Sequence, residues 1–211
     1  MGACIRGIGT TRLTIDGVET LRSADIDVIP DRIEAGTFLA AGALLGEITL
    51  NGVIPEHLDS VILNFKEAGC NVSTTSNSVT IAQTDKIQPV DMTTAVYPGF
   101  PTDLQAQWVA LMTLAKGSSM ITDTVYHDRF GHVPELNRFG ANIKVENNTA
   151  FVRGVDALVG APVMSTDIRA SASLIVAGLA AKGRTEVSRV YHIDRGYEQI
   201  EEKFRSLGAN I

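Results

Sequence analysis

The chain has 211 residues, 45% of them hydrophobic, and 18 Lys and Arg stand against 24 Asp and Glu, for a formal net charge of −6; that is enough chain for one sizeable core or two small ones. The acidic balance excludes a broad nucleic-acid footprint, which needs clustered cations, so an anionic ligand has to be met by a few local arginines. No apolar run approaches the roughly 18 to 20 residues of a membrane span, and Met1-Gly2-Ala3-Cys4 opens no basic-then-apolar leader, so a cytoplasmic protein with neither a membrane nor a nucleic-acid partner is expected.

In chain order, residues 1–18 read as a hairpin, Ile5-Arg6-Gly7 and Arg12-Leu13-Thr14-Ile15, introduced by Gly2-Ala3-Cys4-Ile5. A first unit, 19–92, carries Pro30-Asp31-Arg32-Ile33, an Ala/Leu-rich helix to Gly46, a β-rich run Glu47 to Val53, and a second helix with Leu58, Val61, Ile62 and Phe65 spaced for one buried face. It closes with Ala68-Gly69-Cys70-Asn71-Val72. A second unit, 93–158, repeats the plan from Pro101-Thr102-Asp103-Leu104 through Gly117 and the run Ser118 to Thr124 to Phe139-Gly140-Ala141-Asn142-Ile143. There Asn147-Asn148 reads as the turn between Ile143-Lys144-Val145 and Ala150-Phe151-Val152. A third unit, 159–211, runs from Ser165-Thr166-Asp167-Ile168 through Gly183, the run Arg184 to Val190 and a helix with Ile200, Phe204 and Leu207 to Leu207-Gly208-Ala209-Asn210-Ile211.

Asp-to-Gly separations of 15, 14 and 16 and the following Gly-to-Gly separations of 23, 23 and 25 show that spacing is kept along with residue type. Each unit reads as βαβαββ, with Asp as N-cap and Gly as terminator of the first helix. The first helices are hydrophobic almost all round, as buried helices are. The expected fold is therefore an α/β domain over 1–211 with pseudo-threefold symmetry. The opening hairpin looks like the tail of an earlier unit and the third unit stops where its hairpin is due, so further material is expected on both sides.

Departures from the repeat are the candidates for function. Units two and three carry Val125-Tyr126-His127-Asp128-Arg129 and Val190-Tyr191-His192-Ile193-Asp194-Arg195 before the second helix, where unit one has Val53-Ile54-Pro55-Glu56-His57. Two readings stand: an N-capping Asp beside a solvated Arg, or two guanidinium forks suited to a carboxylate or phosphate. Arg169 by itself reads as a surface residue, and Asp103 as an N-cap shared with Asp31 and Asp167. Histidines 57, 127, 132 and 192 form no spaced ligand set and read as loop or capping residues; no metal is expected. Cys4 and Cys70 lack metal-ligand spacing and read as buried packing residues.

The blocks Phe100-Pro101-Thr102-Asp103-Leu104-Gln105-Ala106-Gln107, Arg129-Phe130-Gly131-His132-Val133-Pro134-Glu135-Leu136, Thr166-Asp167-Ile168-Arg169-Ala170-Ser171-Ala172 and His192-Ile193-Asp194-Arg195-Gly196-Tyr197 resemble the signature blocks of the UDP-N-acetylglucosamine enolpyruvyl transferases. The resemblance covers essentially the whole chain. It implies an inside-out α/β barrel domain of βαβαββ units, and transfer of the enolpyruvyl group of phosphoenolpyruvate to the 3-hydroxyl of UDP-N-acetylglucosamine, without organic cofactor, at the start of peptidoglycan synthesis. Carried over by residue, it implies Asp103 as base and sugar ligand, Val125 as a backbone contact to the UDP-sugar, Arg129 and Arg169 on the phosphoenolpyruvate carboxylate, and Arg195 near its phosphate. The family's lysine-asparagine pair and proton-donor loop have no match here. A partner domain, in cis or as a separate chain, is thus expected to be needed for turnover. The competing expectations are a non-catalytic UDP-sugar-binding or vestigial half-protein and a shikimate-type enolpyruvyl transferase domain.

Overall fold

Where each Ala-rich helix begins and ends sets the rest of the architecture. A computed structural model describes residues 1–211. The chain opens with the antiparallel hairpin β1 (Cys4–Arg6) and β2 (Thr14–Asp16). Next come α1 (Arg32–Leu45), β3 (Glu47–Asn51), a 3-10 turn, α2 (Asp59–Glu67), β4 (Asn71–Thr74) and β5 (Ser78–Ala82). Then follow β6 (Met92–Thr93), a 3-10 turn at Thr102–Leu104, α3 (Gln105–Met112), β7 (Ser118–Thr122), α4 (Val133–Arg138), β8 (Asn142–Glu146) and β9 (Thr149–Arg153). The last elements are β10 (Pro162–Met164), α5 (Ile168–Ala180), β11 (Glu186–Ser188), a 3-10 turn and α6 (Ile200–Ser206).

Besides the two-stranded β1-β2 sheet, three sheets result, ordered β3-β5-β4, β6-β7-β9-β8 and β10-β11. The strand after the first helix pairs antiparallel with the hairpin's second strand, Leu50 opposite Val79 and Ile121 opposite Ala150. β6 and β10 run parallel to β7 and β11, as a crossover through a helix requires. The first unit departs from the repeat, since no strand lies on the outer edge of β3. The stretch leading to α1 is tied back instead by the Arg22 N–H, which donates to the Met1 carbonyl, and Ile26, Val28 and Ile29 stay exposed. Asn147 takes the positive φ of 55° that the β8–β9 turn demands.

The caps sort the repeat into what is shared and what is not. Asp31 Oδ1 accepts from the amides of Ile33 (2.7 Å) and Glu34 (3.2 Å), and Asp167 Oδ1 from those of Arg169 (2.8 Å) and Ala170 (3.0 Å). Asp103 caps nothing: its 3-10 turn displaces the start of α3 to Gln105, where no side chain caps the helix. Of the three expected terminating glycines only Gly46 borders its helix, because α3 and α5 end before Gly117 and Gly183. The second helices do end on left-handed glycines. At Gly69 and Gly208 the following amides, of Cys70 and Ala209, reach back to the carbonyls of Phe65 and Phe204.

The helices α1, α3 and α5 pack pairwise on one another and are buried along most of their length. Their small residues allow close approach, and α2, α4 and α6 cover them with Phe65, Leu136 and Phe204. Phe204 stacks on Phe38 at 4.5 Å, and Trp108 meets the edges of Phe65 and Phe100 at 5.3 and 5.5 Å. Each such side chain contributes on the order of 1.5–3 kcal/mol through burial. Leu207 is exposed, contrary to its place in the helical pattern, because it falls at the cap of α6. Cys70 is buried, and burial pushes its thiol up to about 11; Cys4, expected inside, is exposed because the β1–β2 hairpin stands clear of the core.

Polar groups punctuate this interior. Tyr197 Oη and Gln107 Nε2 both donate to Thr37 Oγ1, at 2.9 and 3.0 Å, and Thr37 donates to the Ile33 carbonyl, which ties α1, α3 and the loop before α6 together. Tyr197→Phe should lower stability by about 1–2 kcal/mol, since it removes a buried donor and strips one partner from Thr37. A urea titration checks this; an unchanged midpoint would show the cluster to be dispensable.

His132 stands in the turn at the N-cap position of α4, as a loop or capping residue would, but its side chain makes no cap hydrogen bond; it is 2% exposed and leaves Nε2 unpartnered, because the Phe130–Val133 stretch turns inward. Burial depresses its pKa from 6.5 to about 4, helped by Arg129 and opposed by Asp167. The folded pKa lies below the unfolded one, so the unfolded chain takes up the proton first. Stability is full above pH 6.5 and falls toward pH 4, by roughly 3 kcal/mol at about 1.4 kcal/mol per pKa unit. Urea midpoints measured from pH 7 to 4 should show this loss, and His132→Gln should flatten it. An equally steep loss in the variant would assign it to other groups.

Candidate functional site

The 3-10 turn Thr102–Leu104 is held from beneath. Leu104 is buried against α1 at Gly36, where a Cβ would come within 2.3 Å of the leucine Cδ1, so the absence of a side chain there seats the turn. Asp103, free of capping duty, reaches outward with 33% of its side chain exposed. Two arginines close on it from different parts of the chain. Arg129, from the loop before α4, places Nη1 2.7 Å from Oδ1, and Arg169, in the first turn of α5, places Nη2 2.9 Å from Oδ2.

Burial alone would push the Asp103 carboxyl up, but hydrogen bonds and charge from Arg169, then Arg129, override it and hold the group below its usual value of 3.8. Burial would likewise lower Arg169, yet Asp103 outweighs it and holds the guanidinium firmly protonated. Each arginine commits one terminal nitrogen to Asp103. Arg169 Nε is buried without a partner, and the Arg129 guanidinium lies 5.4 Å from the centre of the Tyr126 ring. Two guanidinium groups against one carboxylate leave a net positive charge and spare donors, which suits a planar anion.

Arg129 Nη1 also donates to Thr102 Oγ1 at 3.1 Å, and Thr102 donates to Asp123 Oδ2 at 2.6 Å. Asp123 Oδ1 receives the Thr94 hydroxyl and the amides of Val125 and Tyr126 at 2.7, 3.0 and 2.8 Å. Burial would raise the Asp123 carboxyl, but these four donors hold it below the ordinary value. No three His, Cys, Asp or Glu side chains converge in a way that would hold a metal ion.

The structure thus gathers Asp103, Arg129 and Arg169. Val125 adjoins them on the Arg129 loop, with its N–H taken by Asp123. Arg195 stands apart: its side chain is exposed and forms no ion pair, although the neighbouring Gly196 packs on Ile168 beside Arg169 and Tyr197 fixes the same loop. Neither Asp128 nor Asp194 caps a helix, since α4 and α6 begin later, after His132 and Gln199. Thr102 and Asp123 are the members that the pattern does not single out. At the position of Asp123, just past the strand that follows the first helix, the other units have Gly52 and Arg189, so the repeat displays no shared residue that would mark it.

The family model for EPSP synthase (3-phosphoshikimate 1-carboxyvinyltransferase) matches residues 1–204. Curated relatives named UDP-N-acetylglucosamine 1-carboxyvinyltransferase include those of Pelodictyon phaeoclathratiforme, 59% identical over 100% of this chain and 50% of the relative, and of Chloroherpeton thalassium, 60% identical over 100% and 49%. The chain therefore spans about half the length of the curated relatives it matches. The enolpyruvyl transferase NikO from Streptomyces tendae superimposes with a TM-score of 0.88 at 30% identity, covering 99% of this chain and 51% of NikO. An EPSP synthase from Acinetobacter baumannii, 18% identical over 82% of this chain and 44% of that one with a TM-score of 0.61, shares the fold. With its repeated α/β units and a match over nearly its whole length, the chain belongs to the EPSP synthase family of enolpyruvyl transferases.

Proposed function

We propose that this chain supplies one half of a UDP-N-acetylglucosamine 1-carboxyvinyltransferase, which moves the enolpyruvyl group of phosphoenolpyruvate to the 3-hydroxyl of UDP-N-acetylglucosamine with release of phosphate, the first committed step of peptidoglycan synthesis in the cytoplasm. The observation that carries the reading is the sharing of Asp103 between Arg129 and Arg169, at the one first-helix start where the aspartate does not cap. Identity of 55–60% to relatives of that name supports the UDP-sugar branch over a shikimate substrate.

On this reading Asp103 faces the sugar hydroxyl, Val125 offers a backbone contact to the UDP-sugar, and Arg129 and Arg169 take the carboxylate of phosphoenolpyruvate. A carboxylate gripped by two arginines is a weak base, and a base works best with a pKa near the working pH. An incoming carboxylate that draws the guanidinium groups to itself relieves this, because Asp103 then loses the partners that depress its pKa. The hydroxyl proton passes to Asp103 as the sugar oxygen attacks. Arg195, unpaired here, is available to the phosphate. A second domain, in cis or as a separate chain, supplies the proton donor and closes the cleft.

Asp103→Ala, made in a full-length enzyme carrying this half, should fold normally and lose on the order of 10² to 10⁴ in turnover. Phosphate release from phosphoenolpyruvate and UDP-N-acetylglucosamine measures the activity, and circular dichroism measures the fold. Full activity in the variant would remove Asp103 from the chemistry, and a collapsed fold would return it to a structural role. Wild-type activity of this chain with no second half added would overturn the two-domain part of the reading.

A further inference from the structure

We infer that Asp123 is a positioning residue for the Asp103–Arg129 pair, acting through Thr102 by fixing the direction in which that hydroxyl donates. The bearing of this on turnover rests on the proposed function; the geometric claim does not.

Asp123 is fully buried, and no cation pairs with it. An ionised carboxylate only accepts hydrogen bonds. The single proton of the Thr102 hydroxyl is therefore committed to Asp123 Oδ2 at 2.6 Å, which leaves the Thr102 oxygen able only to accept, as it does from Arg129 Nη1 at 3.1 Å. Hydrogen bonds then run in one sense along the chain of groups: Arg129 donates to Thr102, Thr102 donates to Asp123, and Arg129 is left aligned on Asp103. Were residue 123 able to donate, the Thr102 proton would turn toward the guanidinium and oppose its N–H. The anchor itself cannot follow such a shift, because the Asp123 N–H donates to the Asn148 carbonyl at 2.9 Å and its own carbonyl accepts Asn148 Nδ2 at 3.0 Å.

The plainer account makes Asp123 a turn former that accepts the amides of Val125 and Tyr126. That accounts for Oδ1 and leaves Oδ2, which holds Thr102, without a purpose. Asparagine separates the two accounts. It forms such a turn as well as aspartate does, while its Nδ2 places a donor where Oδ2 accepted.

The test follows the Asp103 carboxyl by carbon-13 NMR as pH is lowered, in this chain as it stands. In folded Asp123→Asn and in Thr102→Val, Asp103 should titrate at higher pH than in the wild type, because Arg129 is released; Thr102→Ser should restore the wild-type midpoint. Thr102→Val should also weaken phosphoenolpyruvate binding by about tenfold, the scale of one hydrogen bond to a charged group. An unshifted Asp103 in both folded variants overturns the inference. Should Asp123→Asn fail to fold, Thr102→Val, which leaves the turn intact, decides alone. Should a full-length enzyme carrying this half bind neither phosphoenolpyruvate nor UDP-N-acetylglucosamine, the proposed function fails while the titration still decides this point.

Discussion

The mutual burial of α1, α3 and α5 is the constraint from which the rest follows. Helices that are apolar on every side have no stable place except against each other, and their small residues let them meet closely. Their N-terminal ends converge as a result: Asp103, ahead of α3, touches Arg169 in α5, and Asp31, the cap of α1, is close enough to Arg169 to help hold it protonated. Helix N-termini carry partial positive charge. Aspartate caps satisfy that charge at α1 and α5, whereas at α3 the aspartate has been moved off the helix and given to two arginines. A protein of net charge −6 thus keeps a locally cationic spot.

Much of the fold was legible because it is written three times. The caps at Asp31 and Asp167, the left-handed glycines at 69, 140 and 208 and the Asn147 turn all follow from local rules that a repeat makes visible. What was not legible has distant causes. Nothing in Pro101-Thr102-Asp103 announces that a 3-10 turn will take the place of the first turn of α3, since the cause lies 67 residues earlier in sequence, in the room that Gly36 leaves for Leu104. The burial of His132 and the exposure of Cys4 are likewise tertiary outcomes, set by what the neighbouring segment packs on.

The candidate site divides in the same manner. Comparing units isolates Arg129 and Arg195, and resemblance adds Asp103 and Arg169, but only the fold shows that Asp103, Arg129 and Arg169 meet while Arg195 stays free. Thr102 and Asp123 escape notice because hydroxyl and carboxylate at a strand end are ordinary turn chemistry, and their partners are distant in sequence. Family membership fixes the kind of fold and narrows the chemistry; the direction of a hydroxyl proton is not something a motif records.

The strength of the Asp103 ion pairs has a consequence for how such a site operates. On the proposed reading a free carboxylate beside the sugar would be a base at once, whereas the two arginines hold the Asp103 carboxyl below its ordinary pKa until another anion competes for them. Binding and activation are then one event on the proposed reading: the anion that brings the enolpyruvyl group also releases the base. The arrangement needs arginines that turn without drifting away. On the proposed reading the bond from Arg129 to Thr102 supplies that tether, since Thr102 is held by Asp123 and Asp123 by the β8–β9 turn.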